Sequence, residues 1–251
     1  MQLIFSALAG SVTGAENFIQ LKSGDLKTNL VELYSSEGCS SCPPAEEWLR
    51  SLRSEKGLWK NFVPLEFHVT YWDDLGWKDP FARPEYTQRQ KGYAASWKAG
   101  SLYTPEVVLN GLEWSGWRSD DESLEKLGPS AGILEIKETA KGIFTAKFSP
   151  GKTFRGQPLT LNGALLARDV SSQVSNGENS GRQLKHDFLV NVYKKSLLQK
   201  SKNQENQLEG SLKFSGDELK GPPISQAVAF WVSGQDLTPV QAVGGDLNKG
   251  R

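Results

Sequence analysis

Cys39 and Cys42 are the two cysteines of this 251-residue chain. They form a C-x-x-C in the stretch VELYSSEGCSSCPP, residues 31–44. Thiols at that spacing support three kinds of chemistry. They can cycle between dithiol and disulfide, one thiolate attacking a sulfur and the other resolving the mixed disulfide. They can supply half of a metal site. They can also stay permanently oxidised as a clip, although a disulfide closing so small a loop stabilises a chain little. Zinc takes four ligands, and the remaining soft ligands, His68 and His186, lie in separate halves of the sequence. The expectation is therefore no metal and no cofactor, with redox and clip both left open.

The neighbours of the pair bear on its reactivity. LVELYS reads as a buried strand running into the motif. PPAEEWLRSLRSEKG reads as a helix leaving it, with two prolines and early Glu46 and Glu47 at its start. A thiolate before a helix start is stabilised by free amides and the helix dipole. Cys39 is the expected attacking thiol and Cys42 the resolving one. Two features oppose a very acidic thiol. Pro43 disfavours helical geometry at Cys42, so the regular helix is expected to begin only at Pro43, and Glu37 places a carboxylate two residues before Cys39. Ser40 and Ser41 fill the gap between the cysteines. In the segment TYWDDLGWKDPF, Trp72 is a packing candidate, and Asp73 or Asp74 is a candidate buried base for Cys42. His68 reads as a core or rim histidine.

The rest of the first half continues with a strand at 62–70 and a helix across RPEYTQRQKGYAASWKAG, in which Gly92 is a weak point. A hairpin follows in TPEVVLNGLEWSG, turning at Asn110-Gly111. The last segment, residues 119–128, reads as a helix capped by Ser119. After Gly128-Pro129 the character changes to strand-like runs, beginning with the alternating hairpin GILEIKETAKGIFTAKFSP. The charged run KKSLLQKSKNQENQ reads as a solvated loop. The expected fold is thus an α/β thioredoxin-like domain over residues 26–129, a mixed sheet flanked by helices. An all-β, antiparallel, sandwich-like domain is expected over residues 130–251.

Residues 1–18 carry a short apolar run followed by small residues, which reads as a possible signal segment lacking a basic start. Lys plus Arg equals Asp plus Glu at 29 each, so nothing in the charge balance points to nucleic acid. No run approaches the ~20 apolar residues of a membrane span.

Four stretches, VELYSSEGCSSCPPAEEWL, FHVTYWDDLGWKDPF, YTPEVVLNG and NGENSGRQLKHDFLV, resemble a family of predicted secreted bacterial proteins of unknown function. In that family a thioredoxin-like domain precedes a β-rich one. The likeness runs from about Asn29 to Asp246. It implies the redox-pair role for Cys39 and Cys42, and a cis-proline role for Pro105, with Thr104 before it offering backbone groups to an extended substrate. Ser40-Ser41 in place of Gly-Pro, and the lack of Trp before Cys39, depart from ordinary thioredoxins. The expected function is a periplasmic or secreted thiol-disulfide oxidoreductase. Its partners would be protein or small-molecule thiols and disulfides, with a redox partner to recycle it. The alternative is a non-enzymatic binding or redox-sensing protein with a structural disulfide.

Overall fold

The computed structural model describes residues 18–119, 124, 126–220 and 222–247. The apolar segment read as a signal falls almost wholly outside the described residues, as do residues 120–123 and 125 of the helix expected over 119–128. Ser119, expected to cap that helix, instead closes the turn at Gly116–Arg118 with its hydroxyl on the Gly116 carbonyl, and residues 126–128 are not helical. The elements in chain order are β1 (Gln20–Lys22), β2 (Asn29–Ser35), α1 (Pro43–Ser51), β3 (Phe62–His68), α2 (Pro84–Trp97), β4 (Glu106–Leu109) and β5 (Leu112–Glu113). They continue with β6 (Gly132–Ala140), β7 (Ile143–Pro150), β8 (Thr160–Ala167), β9 (Val170–Gln173), β10 (Gln183–His186) and β11 (Leu189–Leu197). The last are β12 (Gln199–Lys200), β13 (Leu208–Lys213), α3 (Gly216–Lys220), β14 (Ser225–Ser233) and β15 (Pro239–Asp246).

The centre is an eight-stranded mixed sheet in the order β15-β14-β8-β11-β3-β2-β4-β5. Strands β2 and β3 run parallel, with Asn29 opposite Phe62 and Ser35 opposite His68. β11 joins β3 in parallel, at Leu189 opposite Glu66. The other pairs in this sheet are antiparallel. Pro64 sits inside β3 without breaking it. The Glu66 amide bonds the Phe188 carbonyl, so the amide that Pro64 lacks would face the same side, two residues before the paired position.

This arrangement corrects the expected fold class. The chain is mostly β and is not a helix-flanked thioredoxin-like α/β unit followed by a separate antiparallel sandwich. Strands from both sides of Gly128-Pro129 hydrogen-bond into one sheet. Periodicity reveals which segments are strands and which face they bury, but not which distant strand each one pairs with. The sequence change near residue 129 was a change in connection style within a shared sheet. The charged run also differs from expectation: β11 extends to Leu197 and β12 follows at once. Lys194 stands on that strand with its ammonium on Glu218 and the Lys213 carbonyl.

Three apolar clusters cover the sheet. A second, five-stranded sheet, β1-β6-β7-β13-β12, packs Phe144, Phe148 and Leu212 against Leu161, Phe230 and Val232 of β8 and β14. Helix α2 lays Tyr86 and Tyr93 on the face made by Tyr34, Phe67 and Trp231. Helix α1 covers the opposite face of β2 with Ala45 and Leu49 on Val31 and Leu33. Because strand side chains alternate, β3 sends Val63, Leu65 and Phe67 to the α2 side, leaving Glu66 and His68 for the α1 side. Gly92, expected to weaken α2, has a packing reason: a Cβ there would meet Leu237 Cδ1 at 2.6 Å.

Candidate functional site

Strand β2 delivers the chain to the C-x-x-C, and α1 carries it away. The Cys39 amide bonds the Ser36 carbonyl, and the Cys42 amide bonds the Cys39 carbonyl. The helix begins at Pro43 as expected, but Cys42 before it already has helical φ −76° and ψ −37°, against the expected effect of Pro43. Pro43 and Pro44 occupy positions where helical amides lack partners. Cys39 and Cys42 form a disulfide with Cα atoms 5.5 Å apart. Both cysteines are fully buried, while Ser40 and Ser41 between them are exposed. Ser41 Oγ lies 3.3 Å from Cys39 Sγ and donates, at 3.5 Å, to the Thr104 carbonyl.

Thr104-Pro105 is a cis peptide. It immediately precedes β4, whose Glu106 pairs with Tyr34 at the end of β2. That register brings Thr104 beside the disulfide loop. Trp72 Nε1 donates to Thr104 Oγ1 at 2.8 Å. Trp72 also packs on the motif: a Cβ added to Gly38 would approach Trp72 Cβ at 3.0 Å.

A loop from the second half seals the other side. Residues 174–182, between β9 and β10, reach back to the motif. Asn179, buried, donates from Nδ2 to both the Glu37 and Cys39 carbonyls at 2.9 Å. Glu178 accepts from the Ser40 amide at 3.1 Å, and hydrogen bonding from the Ser40 side chain, then from that amide, holds its carboxyl below its usual pKa.

Beneath the disulfide loop lies a buried network of imidazoles and carboxylates. Glu37, Glu46, Glu66, His68, Asp79 and His186 are all buried. His68 Nδ1 stands 2.7 Å from Asp79 Oδ2, and its Nε2 stands 3.1 Å from Glu66 Oε1. His186 Nε2 stands 3.2 Å from Glu37 Oε1. Its Nδ1 is 3.5 Å from Glu46 Oε2 and 3.4 Å from Glu66 Oε1, within ion-pair reach of both but without the alignment of a well-formed hydrogen bond. Ser35 Oγ donates to Glu46 Oε1. Phe81 packs its ring against both imidazoles.

The charges support one another. Burial works against a charged His68, but the Asp79 carboxylate and then Glu66 prevail and lift its pKa to about 10. Burial likewise works against a charged Asp79, yet His68 and the Glu37 and Phe81 amides hold its carboxyl at about 2. For His186, burial is outweighed by the charge of Glu66 and the bond to Glu37, and the pKa rises. Glu66 falls below its usual range because the His186 and His68 charges overcome burial.

The expected supporting residues divide. Ser41 and Trp72 stand at the motif, and the Ser40 backbone is held by Glu178. Glu37 is present but turned inward, accepting from Trp77 Nε1 at 2.8 Å. Asp74 is exposed and Asp73 half-exposed, and burial raises the Asp73 pKa. The buried acid of that segment is Asp79, with the Glu37 amide donating to it at 2.8 Å. Sequence reasoning missed Glu46, Glu66, Asp79, His186 and Asn179. The available signal was in β3, where Glu66 and His68 alternate onto one face of an otherwise apolar strand, a pattern that requires buried partners.

The fold and site together define a β-rich protein with a buried C-x-x-C disulfide packed on an imidazole–carboxylate network. Over residues 30–227 the chain belongs to the family described as "Protein of unknown function (DUF1223)". No curated protein matches it. Two solved structures are similar. One is the Agrobacterium tumefaciens protein AGR_C_4864, 23% identical, with TM-score 0.63 over 91% of this chain and 98% of that one. The other is HBP35 of Porphyromonas gingivalis, 17% identical, with TM-score 0.61 over 91% of this chain and 78% of that one. At these identities the likeness is one of fold. No helix among the described residues is long and apolar enough to cross a membrane.

Proposed function

We propose that Cys39 and Cys42 form a thiol-disulfide redox centre acting on protein or small-molecule thiols. The observation that carries this reading is the disulfide's position at the first turn of α1, with the Ser41 hydroxyl on the Cys39 sulfur. In the oxidising direction a substrate thiolate attacks Cys39 Sγ, the S–S bond breaks, and Cys42 leaves as a thiolate. A second substrate thiol then attacks the substrate sulfur of the mixed disulfide, and Cys39 departs as a thiolate. The Ser41 hydroxyl, 3.3 Å from the Cys39 sulfur, and the dipole of α1 stabilise that thiolate. Thr104 and Pro105 form the edge against which an extended substrate would lie. The reading includes an oxidising compartment, periplasmic or secreted, where such a disulfide persists. The test runs the same steps in reverse, with dithiothreitol as the electron donor: reduction of insulin and of glutathione mixed disulfides by the wild type and by Cys39→Ser, above the uncatalysed rate. Turnover above the variant is expected; equal rates would remove the reading.

A second reading rests on a different observation. The disulfide is fully buried and sealed by Asn179, as suits a structural bond in a binding or redox-sensing protein. The reduction potential separates the two. A value below about −300 mV marks a structural disulfide, and a value in the range of known oxidoreductases marks a working one.

A further inference from the structure

We propose that Glu46, Glu66, His68 and His186 hold one divalent first-row transition metal, zinc foremost, in a closed four-ligand site. The inference is independent of the redox reading, because no cysteine takes part. The four residues come from α1, β3 and β10 and are buried, and their donor atoms all lie within 4.8 Å of one another.

The spacings suit a metal. Zinc bonds nitrogen and oxygen at about 2.0–2.1 Å, so the edge of its tetrahedron is about 3.3 Å. Three of the six donor separations stand near that edge: 3.1 Å from His68 Nε2 to Glu66 Oε1, 3.4 Å from Glu66 Oε1 to His186 Nδ1, and 3.5 Å from His186 Nδ1 to Glu46 Oε2. The whole set spans no more than 4.8 Å, which a small inward shift around an ion would close. Two imidazoles and two carboxylates form a donor set that zinc and its first-row neighbours accept.

Two further observations point inward. His186 Nδ1 and Glu66 Oε2 are buried without a hydrogen-bond partner. A proton on Nδ1 finds no aligned acceptor, and a lone pair there finds no donor, whereas a metal ion would use the lone pair. Three of the four ligands are also held from behind. Asp79 takes the far nitrogen of His68, Glu37 takes the far nitrogen of His186, and Ser35 holds the far oxygen of Glu46. Carboxylates behind histidine ligands fix the tautomer that aims a lone pair at the ion. Asp79 and Glu37 are in turn anchored by the Phe81 amide and the Trp77 indole. Four protein ligands and no open position describe a structural ion, one that ties α1 to β3 and to β10.

The test uses tag-free full-length protein. Elemental analysis of protein grown with added zinc is expected to find about one zinc per chain. After chelator stripping, cobalt chloride titrated at pH 7.5 should give the visible absorption of a four-coordinate ion, saturating at one equivalent and bleached by zinc chloride. Glu46→Gln keeps the Ser35 bond and should weaken zinc at least tenfold while the near-ultraviolet circular dichroism stays unchanged. Glu37→Gln, which alters no ligand, should weaken it about 10–100-fold. His186→Ala should lose the site, and if it fails to fold, Glu46→Gln decides. Cys39→Ser combined with Cys42→Ser should keep full stoichiometry, which separates this site from zinc held by reduced thiols. Folded wild type that takes up neither ion at one equivalent would overturn the proposal. So would stoichiometry that disappears with the cysteines, or affinity unchanged in Glu46→Gln and Glu37→Gln.

Discussion

The rings of His68 and His186 meet edge to face with centroids 4.8 Å apart, although they come from opposite halves of the chain. Each turns one nitrogen to a carboxylate that also supports the disulfide loop. His68 faces Asp79, which accepts the Glu37 amide, and His186 faces Glu37 itself. The motif's backbone therefore rests on the imidazole network. Asp79→Ala should cost about 3–5 kcal/mol, the usual penalty for removing one partner of a buried charge pair, since it also strands the Glu37 and Phe81 amides. Urea unfolding of the wild type and the variant measures this. A change under 1 kcal/mol would show that the network does not support the fold.

That pairing also marks where the sequence stopped being legible. The hairpin of β6 and β7 and the starts of α1 and α2 could be read locally, because alternation and prolines are properties of short stretches. So could the C-x-x-C. The buried acid could not. Asp73, Asp74 and Asp79 share one segment, and only packing around His68 selects Asp79. Ruling out a meeting of His68 and His186 on their distance in sequence failed for the same reason as the fold class. Strand pairing brings β10 and β11 from the second half alongside α1 and β3, and no local pattern encodes that.

A second buried ion pair lies on the α2 face of the sheet. Arg89 forks onto both oxygens of Glu32, at 2.6 and 3.1 Å, and lies over the rings of Phe67, Tyr93, Tyr193 and Trp231. The Tyr34 and Tyr93 hydroxyls complete the shell of Glu32. Arg89→Leu should destabilise by about 3–5 kcal/mol. Arg89→Leu with Glu32→Leu should cost clearly less than the sum of the two single changes, because the double variant leaves no lone charge. Additive losses in a denaturation cycle would contradict the pairing.

Glu106 supplies a pH dependence. Burial, assisted by the charge of Glu113, outweighs the hydrogen bond from Gln90 and raises its pKa from 4.5 to about 7. The folded state therefore holds a proton that the unfolded state has released, and stability falls as pH rises from about 4.5 to 7, then levels off. With allowance for solvent screening the loss is about 1–2 kcal/mol. Glu106→Gln should remove this contribution and be the more stable protein at pH 8. Unfolding midpoints from pH 5 to 8 test it, and parallel curves for the two proteins would refute it.

The disulfide itself should matter little to the global fold. Closing a four-residue loop removes about 2 kcal/mol or less of unfolded-state entropy. Urea unfolding with and without dithiothreitol should differ by no more than that, with native circular dichroism retained in the reduced protein. Collapse of the fold on reduction would make the bond a structural necessity and count against a catalytic cycle.

Asn179 bears on access to the sulfurs. Its amide spans the Glu37 and Cys39 carbonyls, both bonds 2.9 Å, and Arg182 steadies its oxygen at 2.8 Å. Together with Glu178 on the Ser40 amide, it fastens the 174–182 segment over the loop. Asn179→Ala removes both bonds, taking the side-chain donor from the Glu37 carbonyl and leaving the Cys39 carbonyl with the Cys42 amide alone, which costs about 1–3 kcal/mol. Because these contacts are local to the seal, much of the cost falls on the closed arrangement of the loop. The disulfide should then react with dithiothreitol several-fold faster than in the wild type, with the same near-ultraviolet circular dichroism. Glu178→Gln, altering a single exposed bond, should give a smaller acceleration. Equal reduction rates in all three proteins would mean that attack on Cys39 proceeds without opening this segment, and the path to the sulfur would then run along Ser41 and Thr104.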